Sequence, residues 1–534
     1  MSTNTQIQLE PLFKAWLPNW AIVTALVFCI IPSVMLLGLY NSNVAFAAGF
    51  LDVEVEDLQY LFMITYATLV GTSMIEGRLF RYFPARNYML LFISANIAVL
   101  FMSSFVHNYY LLIGLRFLQG VLMIIGPSAF LQLLFLRIRS KSAKIIGYSV
   151  FYSSLLMSGT LTMNVVTFAL DRYGWQEMIY FTMLIYIFIL LVVLLIFNPH
   201  RHVPRYPLYQ LDLASFLYLL TSLLSGAFVL IYGRKLYWFN SDNVCLAMII
   251  FSITGGMFIL RQLIRKRPLY RFNVFKFQNF RIGLLLFIVL YIFRAALNNL
   301  YATMSTVWQW EFSYIVQVQY INIAGIGLGV LASSYLLTKN FSIKYILALG
   351  FSILAIQFAW FTFLFYPDSN VQILLMPLFL QGFGVGWLFT PLVIFVVSAV
   401  PIEMAAFATV SALSARFWGT GIGFSVMQNA QYYLQRKHYT WFQKFVSDDY
   451  NVAPNRLLEY TQGFISKGIP ELQAQQLAFK KISSLLEAQS FLLANMEIYT
   501  ALCICACILV VVILLNAHLT DVAVNLKNKV FNVW

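Results

Sequence analysis

The sequence predicts an all-α protein that crosses a membrane many times, and three observations carry that prediction. Of 534 residues, 61% are hydrophobic and only 10% charged, whereas an ordinary soluble domain is about 25% charged. Apolar runs of about 20 residues, each enough to cross a ~30 Å hydrocarbon core as a helix, recur along almost the whole chain. Lysine and arginine crowd into alternate loops, as cytoplasmic loops between spans require.

Fourteen spans follow, near residues 18–40, 57–77, 88–106, 110–136, 144–170, 176–197, 211–232, 243–262, 282–304, 315–337, 344–365, 371–397, 404–427 and 496–517. The segment before the first is polar and mixed, without the basic start and small-residue cleavage site of a signal peptide, so the first span is expected to be retained. With the N-terminus inside, one set of loops holds Arg78, Arg81 and Arg86, then Arg137, Arg139, Lys141 and Lys144, then the basic stretch 261–281. The opposite short loops hold only Arg172, Arg234 and Lys235. Both termini are therefore expected in the cytoplasm. The net charge of +14 reflects this topology and contact with anionic lipid, and a nucleic-acid partner is not implied.

The spans group as six, two and six. Residues 1–210 form a first bundle ending at the proline-rich basic linker 198–212. Residues 211–281 hold two inserted spans and a basic loop, and residues 282–534 form a second bundle. Two six-span halves suggest a transporter built from repeats, with its substrate site between the halves near mid-membrane. One connection departs from the short-loop pattern. Residues 428–495 are rich in Gln, Lys and Glu, with apolar residues at near-helical spacing from Leu472 to Ala488, which predicts an extracytoplasmic helical module.

Cys29, Cys245, Cys503, Cys505 and Cys507 all fall inside spans, with no histidine or acid at ligand spacing, so neither a disulfide, a metal site nor a cofactor is expected. Membrane oxygenases need clustered histidines; here only His200 and His202 are adjacent, which argues against an enzyme.

Three arginines sit inside spans: Arg116, Arg294 and Arg416. Charges there are costly, and a functional role is the first hypothesis. Arg294, with Asn298 one turn on, and Arg416 are candidates for the substrate cavity. The alternative is that each is capped internally by amides and carbonyls. A proton carrier needs a titratable carboxylate reachable from both sides, and Glu76 is the best candidate, ahead of Asp212 and Glu497.

The stretch LIGLRFLQG, with Leu112, Arg116, Gln119 and Gly120, resembles the fourth-span motif of the major facilitator superfamily. EGRLFRYFPARNYML, with Gly77, Leu79 and Arg86, resembles its loop motif between spans 2 and 3. QGFGVGWLFTP, with Gly382, Gly384, Gly386 and Pro391, and SALSARFWGTGIG resemble its spans 12 and 13. The whole is similar to the fourteen-span drug:proton antiporters of the EmrB/QacA type, and the outer module and ANMEIY resemble the EmrB branch. The resemblance implies the major facilitator fold and proton coupling through Arg116 and Gln119. It also implies export of drug-like compounds from the inner membrane, and a periplasmic adaptor protein leading to an outer-membrane duct. The glycines are read first as sites of close helix packing, and Pro391 as a kink.

Several positions depart from the family pattern. Arg81 stands where the loop motif has an acid and Pro84 where it has a glycine. Gly159 survives in span 5 without its proline, and the first-span acid is replaced near Gly38. Alternative readings are a dedicated exporter of an anionic metabolite, lipid precursor or siderophore, suggested by the positive intramembrane charge, and a non-transporting receptor or scaffold.

Overall fold

The computed structural model describes residues 12–40, 44–124, 129–138, 142–199, 211–446 and 452–516. Helices account for nearly all of them. The first half comprises α1 (Asn19–Met35), a short α2 (Val44–Leu51), α3 (Val55–Tyr82), α4 (Ala85–Ser103), α5 (Tyr109–Leu122), α6 (Leu131–Arg137), α7 (Ala143–Arg172) and α8 (Trp175–Ile196). The inserted pair is α9 (Leu213–Tyr232) and α10 (Asp242–Ile264). The second half comprises α11 (Gln278–Thr306), α12 (Phe312–Thr338), α13 (Ile343–Thr362), α14 (Val371–Ser398), α15 (Ala405–Gln443), α16 (Val452–Ile465) and α17 (Glu471–Leu515). Among the described residues the one β pairing outside a sheet is the bridge between Phe13 and Phe197. With Arg137 stacked over Phe13, it ties the N-terminal segment to the end of α8.

Local chemistry sets the boundaries. Asn108 caps α5 by accepting from the amides of Tyr110 and Leu111, Asn370 caps α14, and Glu54 with Asp57 forms a capping box on α3. Among the described residues twelve helices are long and apolar enough to span a membrane. Two expected spans, 110–136 and 404–427, are not among these twelve. The expected continuous span 110–136 appears as α5 and α6, separated by a stretch of which 125–128 lie outside the described residues.

Spans 13 and 14 do not stop at the membrane boundary expected of them. α15 and α17 are unbroken helices of 39 and 45 residues, about 58 and 68 Å long at 1.5 Å per residue. No proline or glycine interrupts 428–443 or 471–495, so nothing ends either helix where the hydrocarbon ends. The expected outer module is thus a helical hairpin continuous with the bundle. α16 packs on α17, where Ala474 and Ala478 are fully buried.

α3 packs on α5, α4 on α8 and α1 on α7; in the other half α12 packs on α14, α11 on α15 and α13 on α17. The α12–α14 crossing is the tightest. Gly325 and Gly329 of α12 face Gly382 and Gly386 of α14, and a Cβ on any of the four would fall inside van der Waals contact of a backbone carbonyl oxygen on the other helix. Small residues let the two backbones meet, since lipid supplies no hydrophobic force between helices. Asn322 locks the register by donating to the Leu378 carbonyl at 2.9 Å and to Gln381.

The inserted pair lies against α3 and α15, one helix from each half. At its basic end Asp212, the buried N-cap of α9, accepts from Arg261, Arg265 and the Ser215 hydroxyl. Burial pushes this carboxyl up, and the hydrogen bonds from Arg261 and Ser215 outweigh burial, holding it below the usual carboxylate range. Gln262 bridges Ser215 to the Tyr270 amide, and the Tyr270 hydroxyl meets Ser411 on α15. At the other end Lys235 pairs with Glu54 and Arg234 with Glu56 on α3.

Gly329→Leu or Gly382→Leu is expected to abolish a monodisperse peak in detergent size-exclusion chromatography, because neither backbone can yield. Gly77→Ala, where an added Cβ meets nothing within 4 Å, should elute as the unaltered protein does.

Candidate functional site

Arg116 is the largest fully buried side chain, and its compensation is local. α1 tightens into a 3₁₀ turn at Leu36–Gly38, and the last carbonyls of a helix have no partner of their own. The Arg116 guanidinium donates to the Leu36 and Leu37 carbonyls, both at 3.0 Å, and to Gln119 Oε1 at 2.8 Å. It also lies 5.0 Å from the centre of the Tyr40 ring. A cation at the negative end of a helix dipole is favourable, so α1 stands where an acid would. Gly120 sets the height of this contact by letting α5 press on Thr65 and Thr68 of α3. Glu76 is buried further along α3, near Tyr88. It lies about 16 Å from the level of Arg116 along the helix axis, so the structure does not bring these two together.

Arg416 lies where the halves meet. Its guanidinium is buried 5.3 Å from the centre of the Tyr152 ring on α7, and the phenols of Tyr152, Tyr66 and Tyr291 are within electrostatic reach. Arg294, half-buried, approaches the Tyr291 ring at 5.9 Å and shares Tyr66 with Arg416. Tyr66 (α3) and Tyr152 (α7) come from one half, Tyr291, Arg294 and Arg416 from the other. Aromatic contacts close the cluster: Tyr66 with Phe417 at 5.7 Å, Tyr152 with Phe389 at 5.2 Å and Tyr291 with Phe389 at 6.0 Å between ring centres. Asn298 is exposed and outside this cluster; its neighbour Asn299 is buried and donates to Gln431.

Sequence reasoning found the two arginines and missed the three tyrosines. Tyr291 alone carried a local signal, one helical turn before Arg294. Tyr66 and Tyr152 are single aromatic residues among many, and only the meeting of α3, α7, α11 and α15 selects them.

The halves touch beyond this cluster at both ends. Gln428 donates to Gln59 at 2.7 Å, and Tyr320 donates to Asn164. Toward the basic end the hydroxyls of Ser149 and Ser334 lie 2.6 Å apart. A site shared by two six-helix sets, closed above and below, is the arrangement of an alternating-access transporter.

The family model described as Major Facilitator Superfamily matches residues 26–424. The chain belongs to this superfamily. Among curated superfamily relatives, it is 23% identical over 234 residues to "Multidrug export protein EmrB" of Escherichia coli K12, covering 43% of this chain and 44% of that one. It is 26% identical over 188 residues to "Probable multidrug resistance protein EmrY" of the same organism, covering 35% and 36%. To "Fatty acid resistance protein FarB" of Neisseria gonorrhoeae it is 24% identical over 275 residues, covering 50% and 51%. The matching stretches thus span about a third to a half of these relatives. In fold it is similar to a POT family transporter solved with 5-aminolevulinic acid, with TM-score 0.56 and 14% identity over 78% of this chain and 90% of that one. It is also similar to tetrameric PepTSo2, with TM-score 0.54 and 15% identity over 92% and 97%. The chain is accordingly a multi-pass membrane transporter and not an enzyme.

Within the superfamily frame the remaining motif residues have distinct surroundings. Gly120, Gly382 and Gly386 each sit at a backbone-to-backbone crossing, whereas Gly77 is exposed with open space around it. Arg86 is half-buried on the first turn of α4, and Pro391 is buried inside α14, which holds a second internal proline, Pro377, about four turns earlier. Asp212 and Glu497 are held in ion pairs, the latter with Lys437 at 3.6 Å, and Glu497 also lies 3.0 Å from the His438 Nε2.

Arg116→Ala is expected to lower the melting temperature of the detergent-solubilised protein markedly. It removes the donors for two buried carbonyls and leaves a cavity, together on the order of 3 kcal/mol. Arg116→Gln, which keeps an amide donor, should melt close to the unaltered protein.

Proposed function

We propose that this transporter is a secondary-active exporter of amphipathic, drug-like compounds, driven by protons. The observation that carries the reading is the cross-bundle cluster. Both halves contribute to it, and an apolar, aromatic lining with few polar groups is the usual character of a small-molecule site. Similarity to proteins named for multidrug export supports the direction and substrate range. In this reading Arg294 and Arg416 contact the substrate, while Arg116, Gln119 and Glu76 serve proton coupling. Arg116→Gln should keep normal membrane abundance yet lose efflux driven by an imposed pH gradient in inside-out vesicles. Undiminished gradient-driven efflux would remove Arg116 from the coupling path.

In this reading the protein sits in the inner membrane with both termini cytoplasmic, an orientation that the distribution of basic loops supports. Reporter fusions after Pro84 and Lys266 should report cytoplasm, and fusions after Trp238 and Gln462 the opposite side. A cytoplasmic signal at Gln462 would defeat this orientation.

The hairpin of α15, α16 and α17 is read as the docking site of a periplasmic adaptor protein that leads to an outer-membrane duct. It carries exposed apolar side chains, among them Leu458, Leu472, Phe479 and Leu485, and exposed apolar surface of this kind marks contact sites. Replacing residues 456–490 by a flexible linker should leave substrate binding in detergent intact while abolishing co-purification of the adaptor. Adaptor binding that survives the replacement would sink the docking assignment.

A further inference from the structure

The intramembrane arginines differ in what answers their charge. A guanidinium has five N–H donors. Arg116 satisfies three acceptors, the Leu36 and Leu37 carbonyls and Gln119. Arg416 donates to the Ala412 carbonyl of its own helix at 3.3 Å and is hydrogen-bonded to the phenols of Tyr291 and Tyr152, whereas Arg294 donates to none among the described residues. Neither Arg294 nor Arg416 is in an ion pair among the described residues, although Asp212, Glu54, Glu56 and Glu497 all are.

The nearest acids along α3 are far away. Tyr66, which both guanidiniums approach, lies nine residues from Asp57 and ten from Glu76, about 14 and 15 Å along the helix. Tyrosine rings and phenols moderate the two charges through cation–π contact, and they carry no opposing charge. Two cations that share one phenol in a region of low dielectric attract a single anion strongly and repel a cation. The walls beyond the guanidiniums are the rings of Tyr152, Tyr291, Phe389 and Phe417.

We propose that Arg294 and Arg416 together hold the acidic head of an amphipathic monoanion, its apolar ring or chain lying among these aromatic side chains. The inference rests on the export reading and narrows its substrates to weak organic acids: the substrate supplies the counter-charge that α1 supplies to Arg116. Guanidinium forks match a carboxylate in geometry. Arg416 is the more committed of the two, being buried, and Arg294, half-buried, is placed to meet the head group first.

The test uses three fluorescent probes with one apolar body: 1-pyrenebutyrate, 1-pyrenebutanol and the corresponding trimethylammonium cation. With full-length protein in detergent at neutral pH, the acid should bind at least about tenfold more tightly than the alcohol, and the cation more weakly still. Arg416→Gln and Arg294→Gln should bring the acid down to the affinity of the alcohol and leave the alcohol unchanged. Equal binding of acid and cation, no saturable binding of the acid, or an equal loss for all three probes in folded variants would overturn the proposal. The ranking on the unaltered protein decides the matter if the variants fail to fold. Gradient-driven transport in vesicles separates this from the export reading. Equal transport of all three probes would leave export standing and defeat the charge preference, whereas acid-selective binding without gradient-driven transport would defeat export alone.

Discussion

Hydrocarbon offers no hydrogen-bond partner, so every polar atom placed in it must be answered by the protein itself. Most of this structure follows from that constraint. Backbone groups are answered by making nearly everything helical. The loose carbonyls where α1 ends are answered by Arg116, and Arg116 by those carbonyls. Each would be expensive alone, and together they fix where α1 and α5 meet. The same logic operates at the membrane edge, where the buried Asp212 gathers Arg261, Arg265 and Ser215 and so joins α9, α10 and the basic loop.

Helix association answers a second consequence of the solvent. With no hydrophobic force to press helices together, close backbone approach supplies the attraction, and glycine supplies the approach. The pairing of Gly325 and Gly329 with Gly382 and Gly386 welds α12 to α14. Across the halves the contacts are different in kind: single polar pairs such as Gln59 with Gln428 and Ser149 with Ser334, plus rings. Interfaces inside a half are interlocked, and the interface between halves is made of contacts that separate without opening a backbone crossing. That difference suits rigid bodies that rock about a shared site.

α15 concentrates these roles in three successive residues. Arg416 faces Tyr152 of the first half, Phe417 packs on Tyr66 of α3, and Trp418 packs on Gly226 and Phe251 of the inserted pair. One helical turn therefore touches the site, the opposite half and the inserted pair. The Tyr270–Ser411 contact ties the same helix to the basic loop less than two turns away.

The amino-acid sequence by itself determined the class, the fourteen apolar runs and the three arginines in them, because hydrocarbon thickness fixes run length and charge inside a run is rare enough to stand out. It also fixed the superfamily motifs around Arg116 and Gly382, whose spacing is local. What it left open was every property that depends on which helix lies beside which. Arg116, Arg294 and Arg416 read alike along the chain. Only the packing shows the first answered by the end of α1 and the other two set among Tyr66, Tyr152 and Tyr291 with no ion pair among the described residues. The continuation of α15 and α17 beyond the membrane was legible in the absence of glycine and proline, but hydropathy, which measures only the affinity of a segment for lipid, ends a span where the lipid ends and says nothing about where the helix does. The tertiary structure decided the site because a hydrogen bond or a cation–π contact between helices is set by three-dimensional proximity, and residues 66, 152, 291 and 416 have no common pattern in one dimension.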